Sequence, residues 1–403
     1  MHTRQAYLER LRPFLGKPVV KVLTGMRRVG KSYLMRQIIE QLRRDGVPEG
    51  NILYIDKESV AFDDLRTYRD LDKAVQAALG KRGGSRFLFV DEVQEIEGWE
   101  RAIASIAGQG NIDIAVTGSN AHLFSSELAT RMSGRYVEFP IYALSFQEHL
   151  TFRGASRQDP QAEFLDYLRF GGLPAIHHFD RDADTIYQYV ASVFSTIVLK
   201  DIVRRHQVRN VMLLESIARY LFDNTGRVTS AKSIADYLKS QRLRVGVETV
   251  QNYLAYFEEA LLAHRTRRFD IKGRRLLEIY DKFYLGDVGM RHALLGFREG
   301  ELTGVLENVV YLELLRRGYQ VHIGKFGDRE VDFLATRRGE RLYVQVAYLL
   351  ATPETIEREF GVLKAIPDNY PKLVLSMDTA FGDDVEGIRR RHIVDFLCDP
   401  GGA

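Results

Sequence analysis

Apolar residues in the first third of the chain come in short, β-branched blocks separated by amphipathic stretches. Val19–Gly25, Asn51–Glu58, Arg86–Glu92, Asp113–Asn120 and Tyr136–Leu144 have strand length, and Tyr33–Ile39 opens a helical pattern directly after the first block. Blocks buried on both faces, alternating with helices, predict an α/β domain built on a parallel sheet of about five strands. The period then becomes helical over residues 160–210, and again over Leu213–Phe222, Ser230–Leu238 and Val247–Phe257. Two short extended pieces follow, His264–Phe269 and Leu276–Tyr280, around the turn-like Asp270–Arg275. Three helices and a β-hairpin predict a winged helix-turn-helix. From Gly304 a helix (Glu307–Arg317), a meander (Gln320–Gly324, Glu330–Thr336, Leu342–Leu349), a helix (Pro353–Ile366) and a strand (Lys372–Met377) are expected. The order divides the chain into residues 1–150, 151–210, 211–300 and 301–403.

The chemistry is concentrated near the start. Gly25-Met26-Arg27-Arg28-Val29-Gly30-Lys31-Ser32 is a G-x-x-x-x-G-K-[ST] loop with a strand before it and a helix, beginning at Tyr33, after it. That context is what the motif needs: glycines turn backbone N–H groups inward onto phosphates, and the helix N-terminus favours negative charge. Lys31 is placed to reach the outer phosphates of ATP, and Ser32 to hold Mg²⁺. Arg86–Glu92 ends in two adjacent carboxylates, whose side chains diverge by strand alternation. Asp91 is expected to order the water shell of Mg²⁺ and Glu92 to polarise the attacking water. Asn120, at the end of another strand, is a candidate to position that water or read the outermost phosphate.

Charge adds a second theme. The net charge is only +3, yet Lys200 to Arg275 holds 16 Lys/Arg against 8 Asp/Glu. Such asymmetry points to a basic surface on one domain. Arg242, Arg244, Arg267, Arg268, Lys272, Arg274 and Arg275 flank the third helix or populate the hairpin, where they are candidate DNA-phosphate contacts. Against DNA, Glu248, Glu258 and Glu259 suit a groove poorly, so a structural lid or protein contact stays open. The single cysteine, Cys398, cannot form an internal disulfide, the start of the chain lacks an apolar signal, and no apolar run approaches the roughly 18 residues of a membrane span. A cytoplasmic location is expected.

Together these motifs resemble the AAA+ superfamily. Gly25–Ser32 resembles its Walker A motif, Phe87–Glu92 its Walker B and Asn120 its sensor 1. Glu127–Tyr136, containing Ser133-Gly134-Arg135, and Tyr167–Pro174, containing Gly171-Gly172-Leu173-Pro174, resemble segments of prokaryotic, STAND-related AAA+ ATPases with a C-terminal restriction-endonuclease-like domain. The resemblance implies an oligomer, with a ring as one form of it, and Arg135, or else Arg131, as an arginine finger toward a neighbour's ATP. It also implies a helical lid carrying the Gly-Gly-Leu-Pro loop. The endonuclease-like core needs an acid on its first helix, an Asp on its second strand and Glu-x-Lys on its third. Glu307 and Asp332 match, but Gln345-Val346-Ala347 lacks the second carboxylate and the lysine; Lys364 is a substitute in principle, though its spacing after Glu357 and Glu359 reads as a solvated helix face. Two function classes follow: an ATP-driven motor or remodeller on DNA with an inactive nuclease-like domain, or a nucleotide-dependent switch holding a protein partner.

Overall fold

The computed structural model describes residues 2–121, 132, 134–154, 160–277, 279–378 and 384–399. It comprises two compact units, Met1–Ile141 with Glu259–Leu261, and Tyr142–Glu258 with Leu262–Ala403.

The first unit is built on strands β1 (Val20–Thr24), β2 (Ile52–Asp56), β3 (Arg86–Asp91), β4 (Ile112–Gly118) and β5 (Tyr136–Pro140). They form one sheet in the order β2-β3-β4-β1-β5, every pairing parallel. Both faces are covered, so β1 is buried at every position, as an all-parallel sheet requires. Leu71, Val75 and Leu79 from the helix Tyr68–Leu79 and Trp99, Ile103 and Ile106 from Trp99–Gly108 pack with Val22, Leu88, Val90 and Val116 in one core. A Thr67–Asp70 capping box starts the former helix. Because β4 intervenes between β1 and β3, the phosphate loop and the Asp91–Glu92 pair emerge at the same edge, one strand apart. That is the strand order expected of an AAA+ sheet.

The second unit opens with the helices Phe146–Arg153, Pro160–Phe170 and Ala183–Thr196, the last continuing as a π-helix over Ile197–Val203. The stretch Ala183–His206 has the length and apolarity of a membrane span, a feature not evident in the residue pattern. Ile186, Val190, Val193, Ile197, Val198 and Ile202 on it are buried. The helices Val211–Asp223, Ala231–Ser240 and Val247–Glu259 follow, with β6 (Val228–Thr229), β7 (Ala263–Thr266), β8 (Arg268–Asp270), β9 (Arg275–Leu276) and β10 (Asp281–Leu285).

The expected single hairpin is divided. β7 pairs with β10 in a small sheet of order β6-β10-β7, whereas β8 runs parallel to a later strand, β11 (Gln320–Phe326). Alternation along His264–Phe269 marks an extended segment but cannot name its partner, and two sheets offered edges. Beyond β11 come β12 (Arg329–Arg337), β13 (Glu340–Val346), β14 (Lys372–Ser376), β15 (Asp384–Val385) and β16 (Ile388–His392). The eight-stranded sheet has the order β15-β16-β14-β13-β12-β11-β8-β9. Its β11-β12-β13 meander is antiparallel, and the helix Pro353–Ala365 returns the chain to β14, parallel to β13. This is the expected endonuclease-like order. The helix Leu302–Arg316 is buried almost all round, and Tyr284, Tyr311 and Phe333 share its core.

Candidate functional site

The loop after β1 is shaped by positions that only glycine tolerates. A Cβ on Gly25 would lie 2.2 Å from the Ile141 carbonyl oxygen, and Gly30 has φ +97°. Arg28 also takes a left-handed conformation, at φ +71°, and its side chain is exposed. Met26 and Val29 anchor the loop in the core, where the Val29 carbonyl accepts from Arg4 Nη1 at 2.9 Å. Arg27 is buried and donates to Glu58 at 2.7 Å. Ser32 and Tyr33 stand half-buried in the first turn of the helix Lys31–Arg44.

Lys31 is only 4% exposed, its Nζ 2.9 Å from the Gly25 carbonyl, 3.2 Å from that of Met26 and 3.6 Å from Glu92 Oε1. The ammonium thus lies across the loop where phosphates would otherwise be contacted. Asp91 accepts from Tyr54 OH at 2.9 Å and from Thr117 Oγ1. Burial, then the Asp91 charge, raises the Tyr54 phenol above its ordinary range, so it stays a donor. Glu92 turns away at φ +52°, its N–H donating to Thr117 Oγ1 at 2.9 Å. Its carboxylate accepts from Ser119 Oγ at 3.1 Å and from Gln94 Nε2. Burial pushes the Glu92 carboxyl up, but Lys31, Arg27 and these hydrogen bonds outweigh it, and the group ends below the usual glutamate range.

Four side chains to which the sequence gives no role therefore complete the site: Tyr54 and Thr117 on Asp91, and Ser119 and Gln94 on Glu92. Thr117 and Ser119 were signalled by the strand end that singled out Asn120. Asn120 is buried immediately beyond them.

Arg135 is exposed at the opposite end of the sheet: its carbonyl accepts from Val20 N–H at 2.9 Å, and Tyr136 pairs with Val20. Four residue steps of β1, about 13 Å, separate that level from Thr24 and the phosphate loop. The Arg135 side chain does not converge on its own chain's loop. Arg131 lies outside the described residues.

The basic residues occupy the second unit. Arg242 (φ +64°) and Arg244 sit in the turn before Val247–Glu259, and Arg267, Lys272, Arg274 and Arg275 along β7–β9. All six are exposed and lack a carboxylate partner among the described residues. Arg268, half-buried within β8, has its Nε enclosed.

The endonuclease-like core brings Glu307, Asp332 and Gln345 together, with a lysine from elsewhere. Lys282 of β10, 4% exposed, places Nζ 3.1 Å from Glu307, 2.8 Å from Glu330 and 4.0 Å from Asp332. Tyr284 OH donates to Glu307 at 3.0 Å, and Val346 N–H to Asp332 at 2.8 Å. Gln345 accepts from Asp332 N–H at 2.6 Å and donates to Glu359 at 2.7 Å. Lys364 takes no part in this cluster: it lies on the outer helix face, where it pairs with Glu386 at 2.9 Å. Ala347 is buried. Burial disfavours the Lys282 ammonium, yet Glu307, Asp332 and Glu330 raise its proton affinity above the ordinary lysine range. Glu307 and Asp332 are also raised, by burial first, then by carboxylate repulsion. The two directions agree: three carboxylates share one cation, which is held firmly charged while they crowd each other. A cavity of about 1060 Å³ is lined by this cluster, with Tyr348 and Leu349 at its exposed parts.

Comparisons with known proteins place this architecture. Residues 17–150 match the AAA domain family, and residues 161–301 a domain of unknown function, DUF8612. A Haemophilus influenzae protein described as uncharacterized is 35% identical over 98% of this chain and 98% of its own length. One from Methanocaldococcus jannaschii is 31% identical, over 87% of this chain and 79% of its own. Among solved structures, a Walker-type ATPase of Pyrococcus abyssi superimposes with a TM-score of 0.53 at 16% identity, over 73% of this chain and 96% of that one, a likeness of fold. With a phosphate loop on an AAA-ordered sheet and relatives matched along nearly their whole length, the chain belongs to the family of P-loop ATPases that these bacterial and archaeal proteins share.

Proposed function

We propose that this chain is an ATP hydrolase acting as a DNA-associated motor or remodeller in an oligomer. The observation that carries the ATPase reading is the convergence of Lys31, Asp91 and Glu92 at one sheet edge, with Glu92 ionised and held by Ser119 and Gln94. Gly25–Tyr33 would cradle the phosphates, Lys31 leaving its carbonyl partners for the outer ones. Ser32 and Asp91 fit Mg²⁺, which takes few protein ligands and keeps its waters: Asp91 is restrained by two hydroxyl donors, and no three-ligand metal cluster exists among the described residues. When bound, that ion supplies positive charge for the phosphate oxygens. Glu92 takes a proton from the attacking water, and Asn120 lies close enough in sequence to help read the cleaved phosphate.

Arg135 supports assembly, since it faces away from its own loop and a planar, permanently charged guanidinium suits phosphoryl oxygens of a neighbouring copy. The six unpaired basic side chains support DNA-backbone binding, with Arg268 a weaker candidate because it is enclosed. For the C-terminal domain we infer no nuclease chemistry: Lys282 occupies the centre that a divalent ion would need, and Gln345 is neutral. One observation favours the second reading, a switch that holds a protein: the C-terminal cavity is acidic, with exposed Tyr348 and Leu349, and so repels phosphates rather than binding them.

The test compares ATPase rates of the wild type and Glu92→Gln with and without single-stranded, duplex and branched DNA. Turnover that is abolished by Glu92→Gln with ATP still bound, and stimulated by DNA in the wild type, is expected. Normal turnover in Glu92→Gln would refute the site, and indifference to every DNA would favour the switch.

A further inference from the structure

Gln94 lies in the turn Val93–Glu95 that follows β3, two residues beyond Glu92. The turn is tight because Glu92 adopts φ +52° and its carbonyl accepts from Glu95 N–H at 3.0 Å. The Gln94 side chain folds back so that Nε2 donates to Glu92 Oε2 and lies 3.5 Å from Ser119 Oγ. A carboxylate offers no hydrogen, so only the NH₂ end of an amide can face it, and chemistry fixes which way Gln94 points. That leaves its carbonyl, Oε1, buried and with no donor among the described residues.

A buried acceptor without a donor is costly and uncommon, and where one persists it commonly receives a hydrogen from water or a ligand. The amide oxygen is about 2.2 Å from its own nitrogen, by the C=O and C–N bond lengths. Oε1 is therefore within about 5 Å of the Glu92 carboxylate, the separation that one water spans when it donates a hydrogen of about 2.8 Å heavy-atom length to each of two acceptors.

We propose that Gln94 is a positioning residue for hydrolysis, its Oε1 and the Glu92 carboxylate together seating the attacking water. The inference rests on Glu92 being the water-activating base. A water giving one hydrogen to each fixed acceptor keeps its lone pairs turned away from both, toward the phosphate held by the loop. Its oxygen bonds to the terminal phosphorus as the bond from that phosphorus to the ADP oxygen breaks, the electron pair leaving with ADP. One water proton passes to Glu92 and the other stays on the inorganic phosphate. The charged groups facing Glu92 are Lys31, at 3.6 Å, and Arg27, while Asp91 is turned toward Tyr54 and Thr117.

The experiment measures kcat and KM for the wild type, Glu92→Gln, Gln94→Leu and Gln94→Asn. Binding of a non-hydrolysable ATP analogue and the melting temperature are measured for each. Gln94→Leu should lower kcat on the order of 10²-fold, the cost of a misplaced reactant, with KM, analogue affinity and melting temperature unchanged. Gln94→Asn keeps the amide and should recover part of that loss. An unchanged kcat in Gln94→Leu, with turnover lost in Glu92→Gln, would overturn the Gln94 role alone. So would a kcat loss matched by lost analogue affinity and a lowered melting temperature. Normal turnover in Glu92→Gln would overturn the reading beneath it.

Discussion

Lys282→Met removes the only cation in contact with Glu307 and Glu330 among the described residues and leaves the volume nearly unchanged. The side chain is 4% exposed and lies within 4.0 Å of three carboxylates. Breaking a buried ion pair by deleting one partner costs about 3–5 kcal/mol, because the remaining charge stays desolvated. In a unit of this size that corresponds to a fall of roughly 6–20 °C in its melting temperature. The pH dependence has a definite sign. Lys282 is raised above the ordinary lysine range, so its own deprotonation removes its contribution only above about pH 10.4, and any change below that comes from its carboxylate partners. Glu307 and Asp332 are raised as well, and raised carboxyls cost stability as pH climbs above their ordinary values near 4. Losing the ammonium raises them further, so the deficit should be large at pH 8 and smaller at pH 5, where protonation relieves the repulsion. Tyrosine near-UV dichroism follows mainly the second unit, where 15 of the 20 tyrosines lie, while Trp99, the only tryptophan, reports the first unit as an internal control. Adding Glu307→Gln should recover part of the loss. A deficit below about 1 kcal/mol, or one equal at pH 5 and pH 8, would refute the account of Lys282 as a buried counter-ion.

Arg135→Ala is expected to slow hydrolysis by on the order of 10³–10⁵ with nucleotide affinity unchanged, and the wild-type rate per chain should climb with protein concentration. A concentration-independent rate from a monomer would refute the trans role. Neutralising Arg267, Lys272, Arg274 and Arg275 together should weaken DNA of every sequence alike. With roughly five phosphate contacts, the wild-type slope of log K against log salt should be near −4.5, flattening to about −1 in the variant; equal slopes would remove these residues from the interface. Gly171→Ala should destabilise by about 2 kcal/mol or more in chemical denaturation. Gly171 has φ +78°, and its Cβ would lie 2.2 Å from Asp287 Oδ1, a buried carboxylate already accepting from Gly172 N–H at 2.6 Å and Gly289 N–H at 2.9 Å. A neutral result there would show that the Asp287 clamp yields.

What the sequence determined by itself is local. The spacing of Gly25, Gly30, Lys31 and Ser32 between a β-branched block and a helix dictates a phosphate loop, because the chemistry lies within eight consecutive residues. Strand and helix periods likewise announced the five-stranded sheet, the three helices beyond residue 210 and the endonuclease-like order, since burial on a face repeats at intervals visible in the residues. Partnership was decided by tertiary structure. Lys282 precedes Asp332 by 50 positions and belongs to a different sheet, so nothing in the run Gln345–Ala347 could show that a lysine of β10 would stand among Glu307, Glu330 and Asp332. Alternation in His264–Phe269 fixed extended backbone but not that β7 and β8 would join different sheets. The Ser119 hydroxyl on Glu92 is a contact across two strand ends, which the pattern of either strand alone cannot show. Arg135 shows the same limit: a Gly-Arg before β5 signals its type, but only the register Val20–Tyr136 places it at the far end of the sheet from its own phosphate loop. Side-chain chemistry is written along the chain, whereas the distances that let it act are set by which strands and helices meet.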